Sequence, residues 1–133
     1  MNRILLDTVG FIALWNARDQ WHLRAGEVFA LLTAQGADFR TTSYVLLECG
    51  NAASRTQFRS DVVEVREQFM ADGKLIDPTE ADYAAAWAAY AAGTARDASI
   101  VDQVSFAVMR RLGITDVFAN DRHFRTAGFH TLF

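Results

Sequence analysis

The sequence predicts a single α/β domain, residues 1–133, built on a parallel sheet with helices on both faces. Three observations carry that expectation. Short apolar runs alternate with segments of helical periodicity along the chain; the first run, Arg3-Ile4-Leu5-Leu6, shows no polar alternation; and Gly36, Gly73 and Gly113 punctuate the helices just before the next run. A strand without alternation suits a sheet covered on both faces, and strands alternating with helices imply right-handed crossovers. A chain of 133 residues is long enough to bury about two-thirds of its unfolded surface.

Taken in order, Asp7-Thr8 ends the first strand, and Phe11, Ile12, Leu14 and Trp15 recur at helical spacing between Val9 and Ala17. A second helix is expected from Gln20 to Ala34, with Val28, Leu31 and Leu32 as its apolar stripe and Gly36 as its stop. Asp38-Phe39-Arg40-Thr41-Thr42 reads as the second strand, and Ser43 as the N-cap of a helix holding Tyr44 to Glu48. Phe58, Val62, Val65 and Phe69 mark one face of the next helix, which Asp72-Gly73 closes before a third strand, Lys74-Leu75-Ile76-Asp77. Pro78-Thr79 opens an Ala-rich helix with a Thr79–Asp82 capping box and a Tyr83, Trp87, Tyr90 side expected in the core or at an interface, as are Trp15 and Trp21. After a loop at Gly93–Asp97 comes a second capping box, Ser99–Asp102, then a helix to Gly113, a short strand, Asp121, a short helix and a last strand at Phe129–Phe133.

Composition narrows the function classes. The chain is 51% hydrophobic and 22% charged, which describes a folded domain. Its 13 Lys plus Arg against 16 Asp plus Glu give a net charge of -3, so any phosphate contacts must be local or assisted by a cation. Cys49 is the only cysteine; it forms no internal disulfide, reads as a small buried residue, and points to a reducing compartment. No apolar run approaches the roughly 20 residues that span a bilayer, and Asp7 interrupts the opening run where a signal peptide would be apolar. The expected location is cytoplasmic, with no membrane partner.

Four acids fall at one edge of the predicted sheet. Asp7 follows strand one, Asp121 follows strand four, Glu48 lies in the second turn of the helix leaving strand two, and Asp102 lies in the first turn of the helix entering strand four. Ligands in open parallel sheets bind at that carboxyl edge. Singly, each acid has a plain structural role as a cap or a solvated helix residue, worth about 0.3–1 kcal/mol through the helix dipole. Jointly they differ, because caps need not converge and ligands must. Two carboxylates 4 Å apart repel by about 4 kcal/mol at an effective dielectric of 20, so a cluster must protonate, separate or hold a cation. Oxygen donors select Mg²⁺ or Mn²⁺. No Cys/His spacing indicates zinc, and His22, His123 and His130 are too scattered to form a set; His123 reads as a packing or capping residue.

Ile4-Leu5-Leu6-Asp7-Thr8, Thr42-Ser43-Tyr44-Val45-Leu46-Leu47-Glu48, Ser99-Ile100-Val101-Asp102-Gln103-Val104-Ser105-Phe106 and Asn120-Asp121-Arg122-His123-Phe124 together resemble the PIN-domain ribonucleases, and most closely the VapC-type toxins of toxin–antitoxin pairs. The resemblance spans nearly the whole chain. It implies a sheet in the order 3-2-1-4-5, an acidic site for Mg²⁺ or Mn²⁺, endonucleolytic cleavage of RNA to 5′-phosphate and 3′-hydroxyl ends, an antitoxin partner and a homodimer. It makes Asp7, Glu48, Asp102 and Asp121 the catalytic and metal-binding acids, with Asp7 and Asp102 the firmest ligands. Beside these acids in sequence, Thr8 and Ser99 either orient carboxylates or water or serve as cap hydroxyls, and Arg96 and Arg122 either touch RNA phosphates or are ordinary surface arginines. The chain departs from the pattern at Ala95-Arg96, where many members carry Asp-Lys, with Asp97 as a substitute two residues on, and at Val9, where a small polar residue is frequent.

Three readings stay open on sequence: a metal-dependent ribonuclease toxin; a PIN-fold protein-binding module with weakened chemistry; and a Rossmann-like phosphohydrolase using Asp7 as nucleophile, disfavoured because Val9 stands where a second Asp is needed. The apolar face of the Phe58–Phe69 helix is the expected seat of an antitoxin helix.

Overall fold

The structure is a computed structural model that describes residues 2–133. Five strands, β1 (Arg3–Leu6), β2 (Asp38–Thr42), β3 (Leu75–Ile76), β4 (Asp116–Phe118) and β5 (His130–Thr131), form one sheet in the order β3-β2-β1-β4-β5. Every pairing is parallel. Seven helices connect them: α1 (Thr8–Trp15), α2 (His22–Ala34), α3 (Ser43–Ala53), α4 (Arg59–Ala71), α5 (Glu80–Ala92), α6 (Ile100–Leu112) and α7 (Arg122–Thr126). The chain belongs to the fold class its sequence predicts.

The unalternating first strand is covered on both sides. Ile4 and Leu6 enter one apolar cluster with α1 to α4, whereas Leu5 enters a second with Phe106, Met109 and Phe124 of α6 and α7. Asp7 extends this strand: its N–H donates to the Phe118 carbonyl of β4 at 3.4 Å. Asp7 therefore stands between β1 and β4, where the strand order reverses and a crevice opens.

Gly10 brings α1 down onto that junction. A Cβ there would lie 2.2 Å from the Phe118 carbonyl oxygen and 2.5 Å from its ring. Gly10→Ala must push the start of α1 away from β4, and is expected to cost about 3 kcal/mol in urea unfolding.

Several boundaries differ from the sequence expectation. The cap of α3 is Thr42, whose hydroxyl accepts from the Val45 N–H at 3.0 Å, and Ser43 is already helical. Helix α2 starts at His22 and turns Ala25, Val28, Phe29 and Leu32 inward, leaving Leu31 exposed. The last strand pairs only at His130–Thr131; Phe133 leaves the ladder to pack its ring 4.7 Å from that of Phe118. Trp87 and Tyr90 form an edge-on pair on α5 but are half exposed, so they do not belong to the core. No helix among the described residues is long and apolar enough to cross a membrane.

Candidate metal centre

Strand ends and helix starts deliver the four acids. Asp7 caps α1, its carboxylate accepting from the Val9 N–H, and is 2% exposed. Its Oδ1 is buried with no hydrogen-bond partner. Burial first, then the charges of Asp102 and Glu48, push its pKa up to about 8. Glu48, one and a half turns into α3, accepts a hydrogen bond from the Thr8 hydroxyl at the start of α1.

Asp102 closes a capping box at the head of α6. It accepts from the Ser99 N–H at 3.3 Å, while the Ser99 hydroxyl accepts from the Asp102 N–H at 3.0 Å. Burial raises its pKa, the Ser99 N–H opposes that, and the charges of Asp121 and Glu48 raise it further. Asp121 caps α7 through the His123 N–H, 2.9 Å from its Oδ1.

The other capping box supplies an internal control. Asp82 occupies the same position in α5 and accepts from the Thr79 N–H at 2.9 Å, yet it faces Arg111, whose guanidinium donates to both carboxylate oxygens at 2.8–3.1 Å. The Arg111 hydrogen bonds lower the Asp82 pKa. One local motif thus serves two ends. At Asp82 an arginine of the chain itself completes the pairing; at Asp102 the neighbours are the acids Asp121 and Glu48 and the imidazole of His123. Arg111→Met is accordingly expected to destabilise the fold by about 1–3 kcal/mol in urea unfolding, because it leaves Asp82 without its partner.

The tightest group of ligand atoms among the described residues is Asp102, Asp121 and His123, all within 4.8 Å of one another. Asp7 and Glu48 stand outside that set and couple to Asp102 through charge. Sequence reasoning set His123 aside. Its ring Nδ1 nevertheless lies 3.0 Å from Asp121 Oδ1 and 3.6 Å from Asp102 Oδ2. The available signal was the two-residue spacing from Asp121, which folds residue 123 back over the carboxylate that caps its own N–H.

The family model for the PIN domain matches residues 4–130. The chain belongs to the PIN domain family. Among solved structures, this PIN domain is similar to Mycobacterium tuberculosis VapC20, described as a sarcin-ricin loop cleaving toxin, at 28% identity over 96% of each chain with a TM-score of 0.81. It also resembles DNA-bound VapBC from Salmonella typhimurium, at 21% identity over 98% of this chain and 97% of that one, TM-score 0.66. FitAcB from Neisseria gonorrhoeae matches at 17% identity over 98% and 96%, again with a TM-score of 0.66. At those two lower identities the likeness is one of fold. No curated protein sequence matches the chain.

The remaining candidate residues of the PIN domain neighbour the acids in sequence. Asp97 is largely exposed and pairs with Arg122 at 3.6 Å, so both point to solvent beside the centre. Arg96 and Ser99 line a cavity of about 370 Å³ with Tyr90, Thr94 and Gln103. Ala95, at the first departure from the family pattern, adopts a left-handed φ of 49°, a conformation that favours glycine. Cys49, next to Glu48 in the chain, is buried, and burial pushes its thiol pKa up to about 12, so it is a packing residue with no thiolate to offer.

Proposed function

We propose that this PIN domain is a Mg²⁺- or Mn²⁺-dependent endoribonuclease and the toxin of a toxin–antitoxin pair. The observation that carries the reading is Asp7: a buried carboxylate with an unpartnered oxygen, set against two further acids and given no cation by the described residues. The donor set fits a hard divalent ion, since it is made of carboxylate oxygens at the carboxyl edge of a parallel sheet. Asp7 and Asp102 would hold the ion, with Glu48 and Asp121 contributing directly or through water. When bound, the cation supplies charge neutralisation at the scissile phosphate and activation of water.

The chain's own residues do the positioning. The Thr8 hydroxyl fixes Glu48, and the Ser99 N–H fixes Asp102, before substrate arrives. Arg96 and Arg122 would meet RNA phosphates near the acids; Arg122 pairs with Asp97 at 3.6 Å. Thr8→Val keeps the volume of the side chain and removes the hydroxyl that holds Glu48; it is expected to lower RNA cleavage about 10- to 100-fold with an unchanged melting temperature.

RNA as the substrate class is supported by the M. tuberculosis relative, whose description is that of a toxin cleaving the sarcin-ricin loop. An apolar cavity of about 310 Å³, lined by Phe11, Leu14, Trp15, Phe39, Val65 and Phe69, opens between α1, α2 and α4 and suits an antitoxin helix laid in a groove. Exposed Leu47, Trp87 and Tyr90 on α3 and α5 offer apolar surface for a homodimer, and the expected setting is the cytoplasm. The test is cleavage of RNA by the purified protein: activity with Mn²⁺ or Mg²⁺ that vanishes in excess EDTA and returns on adding metal supports the reading, and full activity in EDTA rejects it.

A further inference from the structure

We propose that His123 is a positioning residue of the acidic centre, holding one oxygen of Asp121 and one of Asp102 so that the other oxygen of each is left for the cation. The inference deepens the metal-dependent reading above and rests on it. Asp121 Oδ1 accepts from the backbone N–H of residue 123 at 2.9 Å, and the ring Nδ1 of the same residue lies 3.0 Å from that oxygen. Asp102 Oδ2 accepts from Ser99 and lies 3.6 Å from the same ring nitrogen. Carboxylates only accept, so the ring nitrogen that faces them, Nδ1, is the one that carries a hydrogen. Nε2 is buried with no partner. Among the described residues, the polar contacts of the ring are the two acids.

The Asp82 box shows why an imidazole suits this place. Arg111 there engages both oxygens of its acid and brings a full positive charge. An arginine beside Asp102 would likewise occupy both oxygens and compete with a metal ion. A single ring nitrogen set between two acids restrains both side chains, offsets part of their repulsion and leaves donors free.

The test compares Mn²⁺ binding and RNA cleavage in wild type, His123→Ala, His123→Asn, His123→Gln and Asp7→Asn, with melting curves to confirm folding. The Asn amide places an N–H close to the position of Nδ1, whereas Gln carries it one bond further. His123→Ala is expected to weaken Mn²⁺ binding roughly 10- to 100-fold, with turnover at saturating Mn²⁺ within about 3-fold of wild type. His123→Asn should recover most of that affinity and His123→Gln should not. Electron spin echo spectra of bound Mn²⁺ should show no directly coordinated nitrogen. The proposal is overturned by wild-type affinity in His123→Ala, by an Asn variant no better than Ala, or by a nitrogen ligand that the His123 variants remove. Should wild type bind no Mn²⁺ and cleave no RNA, the metal-dependent reading itself fails and this role with it. Wild-type binding lost in Asp7→Asn but unchanged in His123→Ala overturns the His123 role alone.

Discussion

Asp7→Asn is expected to cut RNA cleavage by at least about 10³-fold while making the metal-free protein more stable. The two effects share one cause. Asp7 is buried with a partnerless oxygen, so its charge is costly until a cation arrives. Asparagine keeps an oxygen that can accept from the Val9 N–H and cap α1, and it carries no charge. The sign with pH follows from the raised pKa of about 8. Below the ordinary carboxylate pKa near 4 both folded and unfolded chains hold the proton and nothing is lost. As pH rises towards 8 the unfolded chain releases its proton readily and the folded chain does not, so metal-free stability falls through that window. Asp7→Asn should flatten this decline, raising stability at pH 8 by at least about 2 kcal/mol, or roughly 6–10 °C in Tm. Thermal melts of both proteins in EDTA between pH 5 and pH 8 measure it. A variant that is inactive because it is unfolded would show the opposite shift.

The second large effect is the response to metal. Mn²⁺ at 100 times its Kd adds about 2.7 kcal/mol to the folded state, close to 10 °C for a chain of this length. The gain should be greatest near pH 8 and shrink towards pH 6, because the cation must displace the proton that Asp7 retains across this range, at a cost of up to about 10-fold in affinity per pH unit. Melting curves with and without Mn²⁺ at the two pH values read this directly. A stabilisation independent of pH would place the ion away from Asp7. Asp7→Asn should abolish the gain at both.

Much of this architecture is legible in the sequence because the signals are local. Arg3-Ile4-Leu5-Leu6 lacks alternation since both of its faces are covered, and the Thr79 and Ser99 boxes announce the starts of α5 and α6. Asp7 and Asp121 could be placed at the sheet edge because a parallel strand must end there. What escaped depends on contacts distant in sequence. Ser43 and Thr42 are equally good caps by type, and only the end of the β2 ladder, at Thr42 opposite Ile76, chooses between them. Leu31 and Phe29 both fit a helical stripe, and the ring of Phe29, stacked 4.7 Å from Phe39, decides which face is inward. The two capping boxes look alike as strings, and their difference lies in Arg111, 29 residues beyond Asp82. His123 was obscured for the same reason: its neighbour Asp102 is remote in sequence, and the imidazole gains meaning only once α6 and α7 set both acids around it.

The measurement that tests the central claim most directly is the end chemistry of an RNA cut by the purified protein with Mn²⁺, compared with the same reaction in excess EDTA. The expected products carry 5′-phosphate and 3′-hydroxyl ends and appear only with metal and only when Asp7 is intact. Cleavage that persists in EDTA, or that leaves 2′,3′-cyclic phosphate ends, would contradict a four-acid metal centre as the seat of the reaction.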